Sequence, residues 1–369
     1  MPPPKPKIAI IGANGRVGAE LCLLLSTYTQ FDLVPICRNR SGSAFLRWQG
    51  IACRHGRSAD PTDAARLLGD CDVVVNSSLA AGSPAQIRSI EDRIIDNAFT
   101  CSKPSATIIH FSTQSVYGDP RRGRLIRWRN PYGRVKLATE RRVRANTRRH
   151  GKTAYILRLG HVCGAMQGMS LDIRREIRAQ RVILPDRDHS SNTVYTAAIV
   201  AAIAQVVRGG VPGGTYDLMN HPPWTWREVY DHEARMCGAG FTPVLVPAES
   251  RSPAFSVTAP LLGLVRKFAV AEPVRIAAAK LFAYVPDALN ARALAWWYRR
   301  RAASEISAVT VKHAAAEHLS WLDNGSHPFP AEQLTTALLA GGPAEAPTPD
   351  PAKSWPADLP DAAAVERDF

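Results

Sequence analysis

No apolar run in this 369-residue chain reaches the roughly 18 residues that a membrane span requires, which argues against a bilayer-crossing helix. Cys-x-x-Cys is absent, and the seven cysteines, at 22, 37, 53, 71, 101, 163 and 237, show no metal-like Cys/His spacing. No metal site is therefore expected. The odd count, with several thiols inside expected strands or helices, fits reduced cysteines in a cytosolic protein. There is no zinc finger, no base-reading module and no stacking-aromatic motif. Nucleic acid is thus the least favoured partner, although the formal net charge is +14. A plain apolar leader is missing too: the proline-rich lead-in of residues 1–7, expected to be flexible, runs into a strand carrying a glycine turn, which argues against a signal peptide.

Acid is scarce in one place above all. Between Arg121 and Arg149 eleven arginines and Lys136 face the single Glu140. Such a cluster suits nucleic acid, an anionic membrane or a diphosphate substrate, and equally suits a solvated basic helix face.

What is present is a core-forming chain, 46% apolar, long enough for two domains or one large one. Ile8-Ala9-Ile10-Ile11 is a β-branched run of the kind buried in parallel sheets, and the apolar stretch from Ala19 to Leu25 reads as a helix packed on that sheet. Between them Gly12, Gly15 and Gly18 form Gly-x-x-Gly-x-x-Gly. Glycine there permits a tight turn and close approach of backbone to a diphosphate, and the helix start offers N–H groups to the anion. The turn from Gly12 to Gly18, with Asn14, Arg16 and Val17 inside it, is therefore the expected nucleotide cradle.

Asn130-Pro131-Tyr132-Gly133-Arg134-Val135-Lys136 places a phenol and an ammonium four residues apart at a predicted helix start, on one face. A free tyrosine has a pKa of about 10; bringing it to about 7 needs roughly 4 kcal/mol of differential stabilisation. Lys136 and a positively charged nicotinamide together are expected to supply that. About twenty residues earlier, Ile108-Ile109-His110-Phe111-Ser112-Thr113 reads as another buried strand. Ligands of open α/β sheets sit beyond the carboxyl ends of the strands, so Thr113 is expected to face the same crevice as the glycine turn.

These three stretches, in this order and spacing, resemble the extended short-chain dehydrogenase/reductase family, the NAD(P)-dependent epimerase/dehydratase group that acts mostly on nucleotide sugars. The likeness covers about residues 7–240. It implies a doubly wound parallel sheet of the Rossmann kind, an α/β fold, with an appended, mostly helical substrate-binding region. It implies Tyr132 as proton carrier, Thr113 holding the same oxygen, and Lys136 on the nicotinamide ribose. It further implies Ser77 and Ser78 against the diphosphate or ribose, and Gln114 and His161 near substrate; His161 reads equally well as a satisfied structural histidine. The family's 4,6-dehydratases carry acids after the Thr113 position, whereas Gln114 and Ser115 stand here, which disfavours dehydration.

The second strand ends in Cys37-Arg38-Asn39-Arg40 rather than in an acid. An acid there binds a ribose 2′-hydroxyl and an arginine accepts a 2′-phosphate, so NADP is favoured over NAD. Asp60 falls where the family holds the adenine amino group, yet with Pro61 after it reads as well as a plain N-cap. The expected organisation is a dinucleotide-binding part over 8–164 and a substrate-binding region over 165–335 interleaved with the last sheet elements. Within the latter, 259–306 is apolar, aromatic and basic together, suited to a membrane interface, a pocket cap or a homodimer contact. The tail 341–369 is expected to be disordered. The sequence thus points to a cytoplasmic oxidoreductase or epimerase, with peripheral membrane contact as an alternative and a non-catalytic nucleotide-binding protein as another.

Overall fold

In a computed structural model of the chain, the residues described are 5–117 except 29, 131–246 except 188, 189, 221 and 222, and positions 286, 289, 292, 327 and 328. The basic and aromatic segment 259–306 and the tail 341–369 therefore lie almost wholly outside the described residues.

The central sheet starts with β1 (Lys7–Ile11), β2 (Asp32–Cys37), β3 (Arg54–His55), β4 (Val73–Asn76), β5 (Thr107–Thr113) and β6 (Ala154–Leu159). Later chain adds β10 (Gly214–Leu218) and the short β12 (His327–Pro328). The order is β12-β10-β6-β5-β4-β1-β2-β3, and every pairing in it is parallel. The strand order reverses on either side of β1, so β1 and β4 flank the topological switch point at which doubly wound sheets form their ligand crevice.

Period-two alternation explains the two faces. Ile8 and Ile10 of β1 enter one core with Val73, Val75, Ile109 and Leu157, while Ala9 and Ile11 enter the other with Val34, Val74, Ile108 and Ile156. Both faces are covered, which is why these strands are nearly all apolar. The first core is closed by α1 (Arg16–Ser26), α2 (Ala44–Trp48) and α7 (Thr196–Val207); the second by α3 (Pro61–Leu68), α4 (Pro84–Cys101) and α5 (Pro131–His150). Each isoleucine or leucine fully buried here contributes about 1.5–3 kcal/mol.

Beside the sheet β7 (His161–Cys163), α6 (Gly168–Arg178), β8 (Ile183–Pro185), β9 (Thr193–Tyr195) and α8 (Trp226–Met236) form a third core, and β11 (Val244–Val246), whose Val244 and Leu245 are exposed, follows them. β7 pairs with β9 and β8 with β11. Trp224, Trp226 and Tyr230 fill this cluster, and the buried Glu233 accepts from Ser170 Oγ at 2.6 Å, Arg174 Nε at 2.6 Å and Tyr195 Oη at 2.8 Å. This is the appended region that the sequence leads one to expect. A second buried carboxylate, Glu20 of α1, joins it to the sheet by accepting from the backbone N–H groups of Ala165 and Met166 and from the Thr196 hydroxyl. None of the described helices is long and apolar enough to cross a membrane.

Candidate active site

The crevice begins at the turn after β1. Gly12 has φ +81°, and a Cβ there would lie 3.0 Å from the backbone N of Ser78. A Cβ on Gly18 would lie 2.3 Å from the Gly12 carbonyl oxygen, which no side chain tolerates. The turn thus packs backbone to backbone, as a diphosphate cradle needs. Helix α1 opens at Gly15 with no side-chain cap and no acid in its first turn, leaving its positive end to an external anion. Ser77 locks the turn by donating from its hydroxyl to the Ile11 carbonyl at 2.7 Å. Asn76 Oδ1 accepts from Ser78 N at 3.1 Å and Ser78 Oγ at 2.6 Å.

From Ser78 the site continues to the catalytic candidates. Lys136 Nζ donates to the Ser78 carbonyl at 3.4 Å and to the Phe111 carbonyl at 3.1 Å, and the side chain is buried. Thr113, at the carboxyl end of β5, accepts from Ser115 N at 3.2 Å. The glycine turn, Ser78 and Lys136 are thus linked by contact, and Lys136 reaches β5 at Phe111, two residues before Thr113.

The Tyr132 phenol is pushed up to about 12, by burial first and by the charge of Glu91 second, with Thr113 pulling the other way. The Lys136 ammonium is turned to two carbonyls. The ring is still 40% open, as a group that must meet an external ligand should be.

The polar second layer is more extensive than the motifs suggest. His110 Nε2 sits 3.2 Å from Thr139 Oγ1 and its Nδ1 3.3 Å from Asn76 Nδ2, a pattern that suits the Nε2–H tautomer. Burial, then the Lys136 charge, holds this imidazole well below its ordinary pKa, so it is neutral. Glu140 Oε1 accepts from Ser112 Oγ at 2.6 Å and Arg158 Nε at 2.9 Å, and Arg158 Nη1 donates to Tyr117 Oη, which donates to Asp217. Glu91, fully buried on α4, accepts from Ala80 N at 2.8 Å. The signal for Glu91 was legible: it shares the apolar face of α4 with Ile94, Ile95 and Ala98, where a charged residue has no structural reason to be.

The other expected residues are placed less centrally. Arg38 stands exposed just beyond β2, at the end where a ribose would lie. Asn14 lies beside Gly42, its Nδ2 3.0 Å from where a Cβ there would stand. Asp60 is the N-cap of α3 and accepts from Asp63 N at 3.0 Å, so the bland alternative holds for at least one of its oxygens. His161 belongs to β7, its ring 5.6 Å from that of Trp226, as a packed structural histidine would be. Gln114, in the short turn after β5, is buried and its Nε2 has no hydrogen-bond partner. An unsatisfied buried amide costs about 1–3 kcal/mol, a penalty that a ligand would remove.

A parallel doubly wound sheet with a glycine-rich turn at its switch point is the architecture on which dinucleotides are bound. The sequence pattern of the NAD dependent epimerase/dehydratase family matches residues 8–217, and this chain belongs to that family. It is 26% identical over 236 residues to a dTDP-4-dehydrorhamnose reductase of Mycolicibacterium smegmatis, an alignment covering 58% of this chain and 64% of that relative's length. Among solved structures it is similar to the UDP-N-acetylglucosamine 4-epimerase from Bacillus cereus, with 17% identity, TM-score 0.52, and 66% and 86% of the two chains covered. It is also similar to the Bordetella bronchiseptica enzyme WbmG in complex with NAD, with 18% identity, TM-score 0.50, and 68% and 84% covered. At these identities the structures bear on fold alone.

Proposed function

We propose that the chain is a nicotinamide-dependent reductase or epimerase acting at a sugar ketone or hydroxyl, in a nucleotide sugar, with reduction the favoured direction. The observation that carries this is the Lys136 ammonium, bonded to the Ser78 carbonyl beside the glycine turn and to the Phe111 carbonyl of β5, with Tyr132 one helical turn before it on α5 and Thr113 ending β5. The cradle fits a dinucleotide: the turn from Gly12 to Gly18, with Asn14, Arg16 and Val17, and the adjacent Ser77 and Ser78 would hold the diphosphate and ribose. Asp60 would take the adenine amino group. When bound, the nicotinamide supplies the hydride chemistry.

Tyr132 moves the proton of the substrate oxygen, Thr113 holds that oxygen, and Lys136 holds the nicotinamide ribose. Gln114, with its unpartnered Nε2, and His161 would contact substrate. Arg38 would accept a 2′-phosphate, favouring NADP over NAD. A cytoplasmic setting suits such substrates. The bounds 8–164 and 165–335 for the two parts, membrane contact through 259–306 and a homodimer extend the same reading.

The test follows absorbance at about 340 nm while the full chain meets NADPH or NADH with a set of 4-keto nucleotide sugars. Tyr132→Phe should lower turnover by about 10²-fold or more and leave cofactor affinity within a few-fold. Wild-type turnover in Tyr132→Phe would falsify the reading.

A further inference from the structure

Glu91 is fully buried, yet its hydrogen-bond partners are neutral: Ala80 N at 2.8 Å from Oε1, and Ser78 Oγ at 3.3 and 3.2 Å from its two oxygens. Lys136, 4% exposed, likewise donates only to neutral carbonyls, those of Ser78 and Phe111. Buried charges of this kind persist only when an opposite charge is near. Two carboxylates act on the Lys136 ammonium, Glu91 and Glu140. Glu140 is already engaged, receiving Arg158 Nη2 at 2.8 Å, Arg144 Nη2 at 3.0 Å and Ser112 Oγ at 2.6 Å. Among the described residues no such cation is bonded to Glu91.

We propose that Glu91 is a positioning residue of this site, the counter-ion that keeps buried Lys136 charged while clamping the Ser78–Ala80 segment beside the glycine turn. The inference rests on the reading that Lys136 holds the nicotinamide ribose. It separates Glu91 from the groups that touch ligand: Glu91 acts through Lys136 and Ser78.

The surrounding charges set the sign of the effect. Lys136 is faced by Glu140 of its own helix, His110 of β5 and Glu91 of α4; Arg158 of β6 pairs with Glu140, and Asp92 and Arg88 flank Glu91. Burial pulls the Lys136 pKa down and the two carboxylates push it up. Removing Glu91 lowers it further, so the ammonium is lost at a lower pH as pH rises, and cofactor affinity with it.

Affinity of the full-length protein for NADH and NADPH, read by tryptophan fluorescence from about pH 7 to 9, tests this. Wild type should hold its affinity across the range, whereas Glu91→Gln should match it within a few-fold near pH 7 and lose about tenfold by pH 9. Lys136→Arg in the Glu91→Gln background, with a permanent cation, should flatten the profile again. A Glu91→Gln profile parallel to wild type, whether equal or uniformly weaker, overturns the proposal. Should that variant fail to fold, Glu91→Asp takes its place: uniformly weaker binding with a flat profile supports the proposal, and a fall with rising pH overturns it. Wild type that binds neither cofactor overturns instead the functional reading beneath it.

Discussion

Tyr132 and Gly18 show how far a single residue can be read without coordinates. That a tyrosine and a lysine lie four apart is visible in the chain, but the state of the phenol is not, because it depends on burial and on Glu91, forty-one positions away in sequence. Gly18 is the opposite case: its spacing in the turn announces close packing, and the structure supplies the distance. Gly18→Ala would place a methyl 2.3 Å from the Gly12 carbonyl. The turn has to open, so a drop of at least tenfold in NADPH affinity is expected, with a loss of about 1–3 kcal/mol in urea unfolding from the overpacked site. Unchanged affinity in a folded Gly18→Ala protein would show that the turn does not cradle the cofactor.

Among elements, the helices illustrate which signals are local. Helix α8 starts where Thr225 and Glu228 announce it, and the capping box forms: Thr225 N donates to Glu228 Oε2 at 2.7 Å and Glu228 N to Thr225 Oγ1 at 3.2 Å. Thr225→Ala should therefore cost about 1 kcal/mol, measured by urea denaturation. Strand β3 is a contrasting element, two residues long, because its pairing to β2 is only Ile36 with Arg54 and Cys37 with His55. It is held from the side instead: Asp70 receives Arg54 at 2.6 Å and Lys7 at 2.7 Å, tying β3 to the start of β1. Those cations, Arg54 first, hold the Asp70 carboxyl well below its ordinary range. A depressed carboxyl contributes stability above its unfolded pKa of about 4 and loses it as pH falls toward the folded value. Because Asp70 is 43% exposed, the contribution is screened to a fraction of 1 kcal/mol. Melting temperature followed from about pH 6 to 2.5 should fall less steeply in Asp70→Asn than in wild type; identical slopes would remove this pair from the acid response.

On the scale of the whole molecule, stability and site geometry meet in the buried ion pair of Arg158 and Glu140. It links β6 to α5, reaches β5 through Ser112 and β10 through Tyr117 and Asp217, and so joins the helix bearing Tyr132 and Lys136 to the sheet bearing Thr113. Arg158→Met leaves Glu140 buried with a weaker complement of cations and should destabilise by about 3–5 kcal/mol. Chemical denaturation measures it, and a cost below 1 kcal/mol would mean that the network is not what holds α5 in place.

The amino-acid sequence by itself determined the parallel sheet, the glycine cradle, the Thr-Tyr-Lys set and the caps of α3 and α8, because each rests on short-range spacing: period two in strands, period 3.6 in helices, and turns that only glycine can make. Tertiary structure alone decided where Lys136 points, which carboxylate faces it, and how Glu20, Glu140 and Glu233 bind distant segments. Those outcomes depend on which buried charges end up within a few ångströms of one another, and burial is a property of the assembled fold.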